Sequence, residues 1–398
     1  MWKPWQGRSL PIRKWDDRSM KIDRIESFFV PPRWLFVRVE SADGAVGWGE
    51  ASLEGYAEAV DGAIEALRDR FIGHDPRRIE DIWQVAYRGG FYRGGPVLMS
   101  ALAGLEQALW DLKGKALGIP AWEMLGGQVR DRIRAYAWIG GDRPDEIEEA
   151  ARSRREQGFT AVKMNATAEL DWIGTPRLFD DVVRRVEAAQ AAGMDVGLDF
   201  HGRVHRPIAK QLAKVVEPLG LLFIEEPLLS ENPEGLAQIA ALTSTPIALG
   251  ERLYSRWDFK PFFESGTVDI IQPDLSHAGG LLECRKIAAM AEAYDIAVAP
   301  HCPLGPLALA ACLQLAACTP NVAIQEMSLG IHYNVGHDLL HFVTDPEVLT
   351  PVEGYLPIPQ KPGLGVTIDE AAVREAHQNR HRWRNPIWRQ SDGNFAEW

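Results

Sequence analysis

Between Ile133 and Gln325, eight short β-rich segments alternate with stretches of helical periodicity, and that rhythm leaves few folds open. The segments are Ile133–Trp138, Ala161–Met164, Val196–Phe200, Leu221–Ile224, Pro246–Leu249, Val268–Ile271, Ala297–Ala299 and Val322–Gln325. Helical stretches such as Pro207–Val216, Glu234–Leu242, Leu281–Tyr294 and Leu307–Ala317 separate them. Neighbouring parallel strands need a long crossover, and a helix supplies it. The pattern predicts an α/β protein built on a (β/α)8 TIM-type barrel. An open doubly wound sheet is the competitor, but no Gly-x-Gly-x-x-Gly follows a strand.

The chain before the barrel reads differently. Ile22–Phe29, Trp34–Val39 and Ala45–Gly49 alternate like strands, with Asp43-Gly44 as a turn signal. Helical periodicity follows at Tyr56–Phe71, Ile79–Tyr87 and Gly95–Gly114, the last with Leu98, Leu102, Leu105, Leu109 and Leu112 on one stripe. Residues 20–127 are therefore expected to form an α+β capping domain, with its meander and the Tyr92 region over the barrel mouth. Residues 128–340 form the barrel that carries the active site. The proline-punctuated tail, 341–398, returns to complete the cap. Residues 1–19 are polar and unpatterned, which places this extension outside the fold and the start of the folded chain at Met20.

Charge and cysteine usage narrow the function. A formal charge of −12 over 398 residues argues against a nucleic-acid partner, which needs a basic face. No apolar run reaches the ~18–20 residues of a membrane span, and the first residues lack a signal-peptide core. Cys284, Cys302, Cys312 and Cys318 match no zinc spacing and are too sparse for a disulfide scaffold. A cytoplasmic setting is expected.

Barrels of this kind carry their chemistry at the C-terminal ends of the strands. The third strand ends in Asp199-Phe200-His201, the fourth in Glu225-Glu226-Pro227, the fifth in Gly250-Glu251-Arg252. Asp199, Glu225 and Glu251 stand one strand–helix unit apart, so three carboxylates are expected to converge. Converging carboxylates repel unless a cation compensates them. An all-oxygen set suits a hard ion, and Mg2+ keeps positions open for water or substrate.

By the two-residue period of a strand, His201 points the same way as Asp199. Asp274 and His301 end the sixth and seventh strands, and a carboxylate beside an imidazole fixes its tautomer and raises its basicity. That pair reads as a general base. Glu326 closes the ring at the eighth strand, as a hydrogen-bond donor if kept protonated. Lys163 and Asn165 face inward from the second strand, where Lys163 can support a carboxylate electrostatically.

Together, Asp199-Phe200-His201-Gly202-Arg203, Ile224-Glu225-Glu226-Pro227, Gly250-Glu251-Arg252, Gln272–Gly280, Pro300–Pro306, Phe91–Pro96 and Trp383-Arg384-Asn385-Pro386 carry a resemblance. From Met20 to Trp398 the chain resembles the mandelate racemase-like subgroup of the enolase superfamily. The resemblance implies Mg2+ on Asp199, Glu225 and Glu251. It implies His301, oriented by Asp274, as the base that removes the proton beside the substrate carboxylate. His201 would protonate the departing 3-hydroxyl, and Glu326 would hydrogen-bond the enediolate.

The implied reaction is dehydration of an acid sugar, D-galactonate to 2-dehydro-3-deoxy-D-galactonate. Another hexonate such as gluconate is an alternative substrate. An epimerase on the same scaffold is a further alternative, but it wants a base on each face, and Asn165 cannot take up a proton. A catalytically silent binding relative is the third reading, and the filled roles argue against it. The extension before Met20 departs from the family pattern, as does Ala166, where glycine is usual. A small-molecule acid sugar is the expected partner, in a homo-oligomer as related barrels form.

Overall fold

The first ordered stretch builds a small antiparallel sheet from β1 (Ile22–Val30), β2 (Trp34–Ser41) and β3 (Val46–Glu50). This computed structural model describes residues 20–143, 145–175 and 177–398, so the expectations for residues 1–19 lie outside the described residues. Phe28 pairs with Phe36, and Gly44, at φ +82°, turns β2 into β3 as Asp43-Gly44 predicted. Three helices follow, α1 (Ala57–Phe71), α2 (Ile79–Arg88) and α3 (Pro96–Leu117), then a single turn, α4 (Ala121–Met124).

α3 starts on a proline, whose missing N–H costs nothing there, and stops at Gly118 in the left-handed region. It packs so closely on β3 that a Cβ at Gly49 would lie 2.2 Å from the Gly104 carbonyl oxygen. The predicted leucine stripe holds from Leu102 to Leu112, but Leu98 is half exposed. From Met99 to Leu112 every side of α3 is covered, by the sheet on one face and the barrel on the other.

Eight parallel strands then appear in sequence order. They are β4 (Arg132–Trp138), β5 (Ala161–Asn165), β6 (Asp195–Asp199), β7 (Phe223–Glu225), β8 (Ile247–Leu249), β9 (Ile270–Ile271), β10 (Ala297–Val298) and β11 (Gln325–Met327). Each pairs with the next up to β10, and β11 pairs back onto β4. A parallel bridge from Val298 to Val322 joins β10 to the residues just before β11, which closes the ring. The crossovers are α5 (Ile147–Glu156), α6 (Arg177–Ala191), α7 (Arg206–Val216), α8 (Pro233–Ala240), α9 (Arg256–Ser265), α10 (Leu281–Glu292) and α11 (Pro306–Cys318). Tyr136, Ala161, Phe223, Ala248, Ala299 and Ile324 fill the inside of the barrel as one apolar cluster.

Two buried glutamates dock the N-terminal unit on the barrel. Glu50 accepts from the backbone N–H groups of Gly305 (2.8 Å) and Ala308 (3.0 Å) at the start of α11. Glu106 accepts from Leu281 (2.8 Å) and Leu282 (2.9 Å) at the start of α10. Both use the unpaired donors and positive end of a helix. Burial pushes each carboxyl up to about 7 against these hydrogen bonds.

The tail touches both units. β12 (Tyr355–Pro357) runs antiparallel to the first half of β4, while α12 (Glu370–His377) lies on β1, where His377 Nδ1 accepts from the Phe29 N–H (3.0 Å). The last residues form a short hairpin, β13 (Trp388–Arg389) with β14 (Phe395–Ala396). Among the described residues no helix is long and apolar enough to cross a membrane.

Candidate active site

Register places the carboxylates side by side. Asn165 is level with Asp199 across β5–β6, and Asp199 with Glu225 across β6–β7. Glu251 follows β8 after Gly250, whose φ of +145° and close packing on Gln272 leave no room for a side chain. Asp274 and His301 follow β9 and β10, and Glu326 lies within β11. Asp199, His201, Glu251, His301, Glu326 and Lys163 all face one cavity of about 520 Å3, a size suited to a small molecule.

Lys163 is the electrostatic centre. Its Nζ is 2.6 Å from Glu225 Oε1, 2.9 Å from Glu326 Oε1 and 3.8 Å from Asp199 Oδ2, all buried. Burial disfavours its charge, but Glu225 and Glu326 outweigh that and raise its pKa well above the ordinary lysine value. Glu326 uses its other oxygen to accept from the Cys302 N–H at 2.9 Å. Both of its oxygens therefore act as acceptors, which departs from the donor expected of it.

Burial also drives the carboxyls of Asp199 to about 7 and of Glu225 to about 8, with Lys163 opposing and neighbouring carboxylates adding to the rise. Negative charge is crowded here beyond what Lys163 neutralises. Among the described residues no three His, Cys, Asp or Glu side chains stand in a metal-holding arrangement. Glu225 turns to Lys163, and Glu251 turns to His301 Nε2 at 3.1 Å. The donor set still fits a hard cation, because it is all oxygen and the buried Asp199 Oδ2 lacks a hydrogen-bond partner.

His301 Nδ1 is 2.9 Å from Asp274 Oδ2, the pairing that its strand-end position predicted. Burial opposes charge on this ring, but Glu251, Glu326 and Asp274 hold its pKa up at about 10. Asp274 is held in turn by the Ser276 N–H at 2.7 Å.

His201 reaches the cavity by a route other than strand alternation. β6 ends at Asp199, and His201 sits in a turn at φ +56°, its N–H donating to Asp199 Oδ1 at 2.6 Å. Its Nδ1 is 2.7 Å from Arg203 Nη2. A guanidinium only donates, so Nδ1 accepts and the ring proton lies on Nε2. Burial, then the Arg203 charge, lowers the pKa of this ring well below the ordinary histidine value.

Residues 145–372 match the enolase C-terminal domain-like family, and residues 31–126 match the mandelate racemase/muconate lactonizing enzyme N-terminal domain. The chain belongs to the enolase superfamily. It is 52% identical to D-galactonate dehydratase of Ralstonia nicotianae and 53% identical to that of Ralstonia pickettii, each over 95% of this chain and 100% of the relative. A crystal structure of an enolase from Agrobacterium radiobacter with bound Na and L-malate superposes with a TM-score of 0.85. That pair is 31% identical over 95% of this chain and 100% of the other.

Several residues of this superfamily cavity carried no sequence signal. Arg33, Glu54 and Tyr56 line it from the N-terminal unit, and Tyr333 and Trp398 from the tail side. Tyr92, expected over the mouth, lies outside the cavity and is 87% exposed. Arg203 could have been found, since its position two residues from His201 in a turn invites contact. The aromatic residues could not, because nothing periodic links them to the strand ends.

Proposed function

We propose that the protein dehydrates D-galactonate to 2-dehydro-3-deoxy-D-galactonate. One observation carries the reading: His301, paired with Asp274, and the Arg203-held His201 open on the same cavity as Asp199, Glu251 and Glu326. The full-length relatives named for that reaction support the substrate. Asp199, Glu225 and Glu251 are the residues that would hold Mg2+. When bound, the ion supplies Lewis-acid stabilisation of the charge that builds on the substrate carboxylate as the adjacent proton leaves.

The chain's own groups divide the proton transfers. Asp274 holds Nδ1 of His301, so Nε2 is the nitrogen that takes the α-proton; it first gives up its own proton when Glu251, the largest charge holding the ring cationic, turns away. Arg203 keeps the His201 proton on Nε2, aimed at the departing 3-hydroxyl; once Nδ1 takes up a second proton as Arg203 turns away, the Nε2 proton passes to the hydroxyl, water leaves and the ring is neutral again. Lys163 keeps Glu225 and Glu326 in place beside the developing negative charge. Water loss at C3 leaves an enol, which becomes the 2-keto acid.

The test is proton NMR of the purified protein with Mg2+ and a panel of hexonates that includes D-galactonate and gluconate. A 3-deoxy-2-keto product from D-galactonate is the expected result. Product from another hexonate alone would overturn the substrate, and no product from any would overturn the reaction.

A further inference from the structure

The catalytic groups engage only the first three carbons of a hexonate, and something else must meet the rest of its chain. The tail supplies a candidate surface. Arg384 pairs with Glu58 at 2.7 Å, and Gln390 Nε2 donates to the Leu170 carbonyl at 2.7 Å, fastening residues 384–390 across the mouth. The guanidinium groups of Arg143 and Arg203 lie over the Trp388 ring, 4.1 and 4.9 Å from its centre, which pins the hairpin to the barrel. The returning strand delivers Trp398 to the cavity wall.

There the Trp398 ring stands edge-to-face with His201, centroids 6.2 Å apart at 82°. It also meets Tyr333 at 6.2 Å and Trp383 at 6.0 Å, so it joins His201 to an aromatic cluster at the cavity wall. Its indole N–H is buried and closes no well-formed hydrogen bond, although it lies near enough to the partly exposed Asp142 to help His332 and Tyr333, against the effect of burial, hold that carboxyl down at about 2. Ring packing on His201, Tyr333 and Trp383, together with the approach of the N–H to Asp142, places the indole here. The carbon face of a polyol offers C–H groups, which pack well on an aromatic ring. His201 faces C3 in the proposed reaction, and the chain beyond C3 continues from there.

We propose that Trp398 is a substrate-binding residue that forms the wall for carbons four to six of the acid sugar. This rests on the acid-sugar reading of the site. A ring that contacts only the distal chain contributes equally to ground and transition states, so its loss raises KM and spares kcat.

The experiment compares wild type, Trp398→Ala and Trp398→Phe with D-galactonate as substrate and glycolate as a short competitive inhibitor. Trp398→Ala is expected to raise KM for D-galactonate on the order of tenfold, with kcat changed by less than about threefold. Glycolate, which has no distal chain, should inhibit wild type and variant with the same constant. Trp398→Phe keeps an aromatic face and should recover most of the KM. An unchanged KM in Trp398→Ala would overturn the proposal. So would equal weakening of glycolate, or a loss confined to kcat, either of which marks a structural role. Wild-type inactivity on D-galactonate would instead overturn the reading on which the proposal stands.

Discussion

At the residue scale, Lys163 shows how context decides a side chain's meaning. Its position in β5 made it an inward-facing group able to support one carboxylate electrostatically, where the amide of Asn165 cannot take up a proton. Its contacts with Glu225 and Glu326 make it the internal counter-charge of the site. Removing one partner of a buried ionic cluster leaves the others uncompensated. Lys163→Met is therefore expected to lower kcat by on the order of a hundredfold, the scale of losing one well-placed electrostatic group. Mg2+ affinity should not fall, since a competing positive charge has gone from beside Glu225. Titration of the divalent ion alongside kinetics checks both, and a weaker affinity would contradict this role for Lys163.

His201 makes a related point, because the residue was legible and its geometry was not. Strand periodicity pointed it at the cavity, whereas a left-handed turn does so in fact, with Arg203 as its partner. Asp199, Glu225, Glu251, Asp274, His301 and Glu326 were legible because each lies in or just after a short barrel strand, where the fold itself concentrates chemistry. Trp398, Tyr333 and Asp142 were not, because tertiary contacts across hundreds of residues leave no local pattern.

At the element scale, α3 explains what periodicity misses. A stripe of leucines predicts a one-faced helix, but α3 is enclosed on all sides and uses Glu106 to hold the start of α10. Amide replacement at Glu106 would turn an NH2 group against a backbone donor, so Glu106→Gln should destabilise the protein by about 1–3 kcal/mol. The pH dependence has a definite sign. Burial raises the folded-state pKa of Glu106 to about 7, above its unfolded value, so its stabilisation is complete below about 4.5 and declines as pH rises through 7. The stability gap between wild type and Glu106→Gln should therefore be wider at pH 5 than at pH 8, measured by urea unfolding. A gap that widens with pH would contradict the assignment.

At the scale of the whole molecule, the barrel positions the reacting groups and the N-terminal unit and tail enclose them. Strand–helix alternation made the barrel readable from end to end, although several strands are shorter than their apolar segments, as in β9, where only Ile270–Ile271 is regular strand. The tail was harder, because it splits its contacts between β4 and β1 and then returns to the cavity mouth. In the proposed reaction, two histidines on opposite sides of one barrel separate proton removal from water loss. The direct measurement is proton NMR in heavy water with D-galactonate and Mg2+, applied to His301→Asn and His201→Asn. His301→Asn is expected to lose exchange of the α-proton, while His201→Asn retains exchange and forms no keto acid. Exchange that survives in His301→Asn, or disappears in both, would contradict this separation.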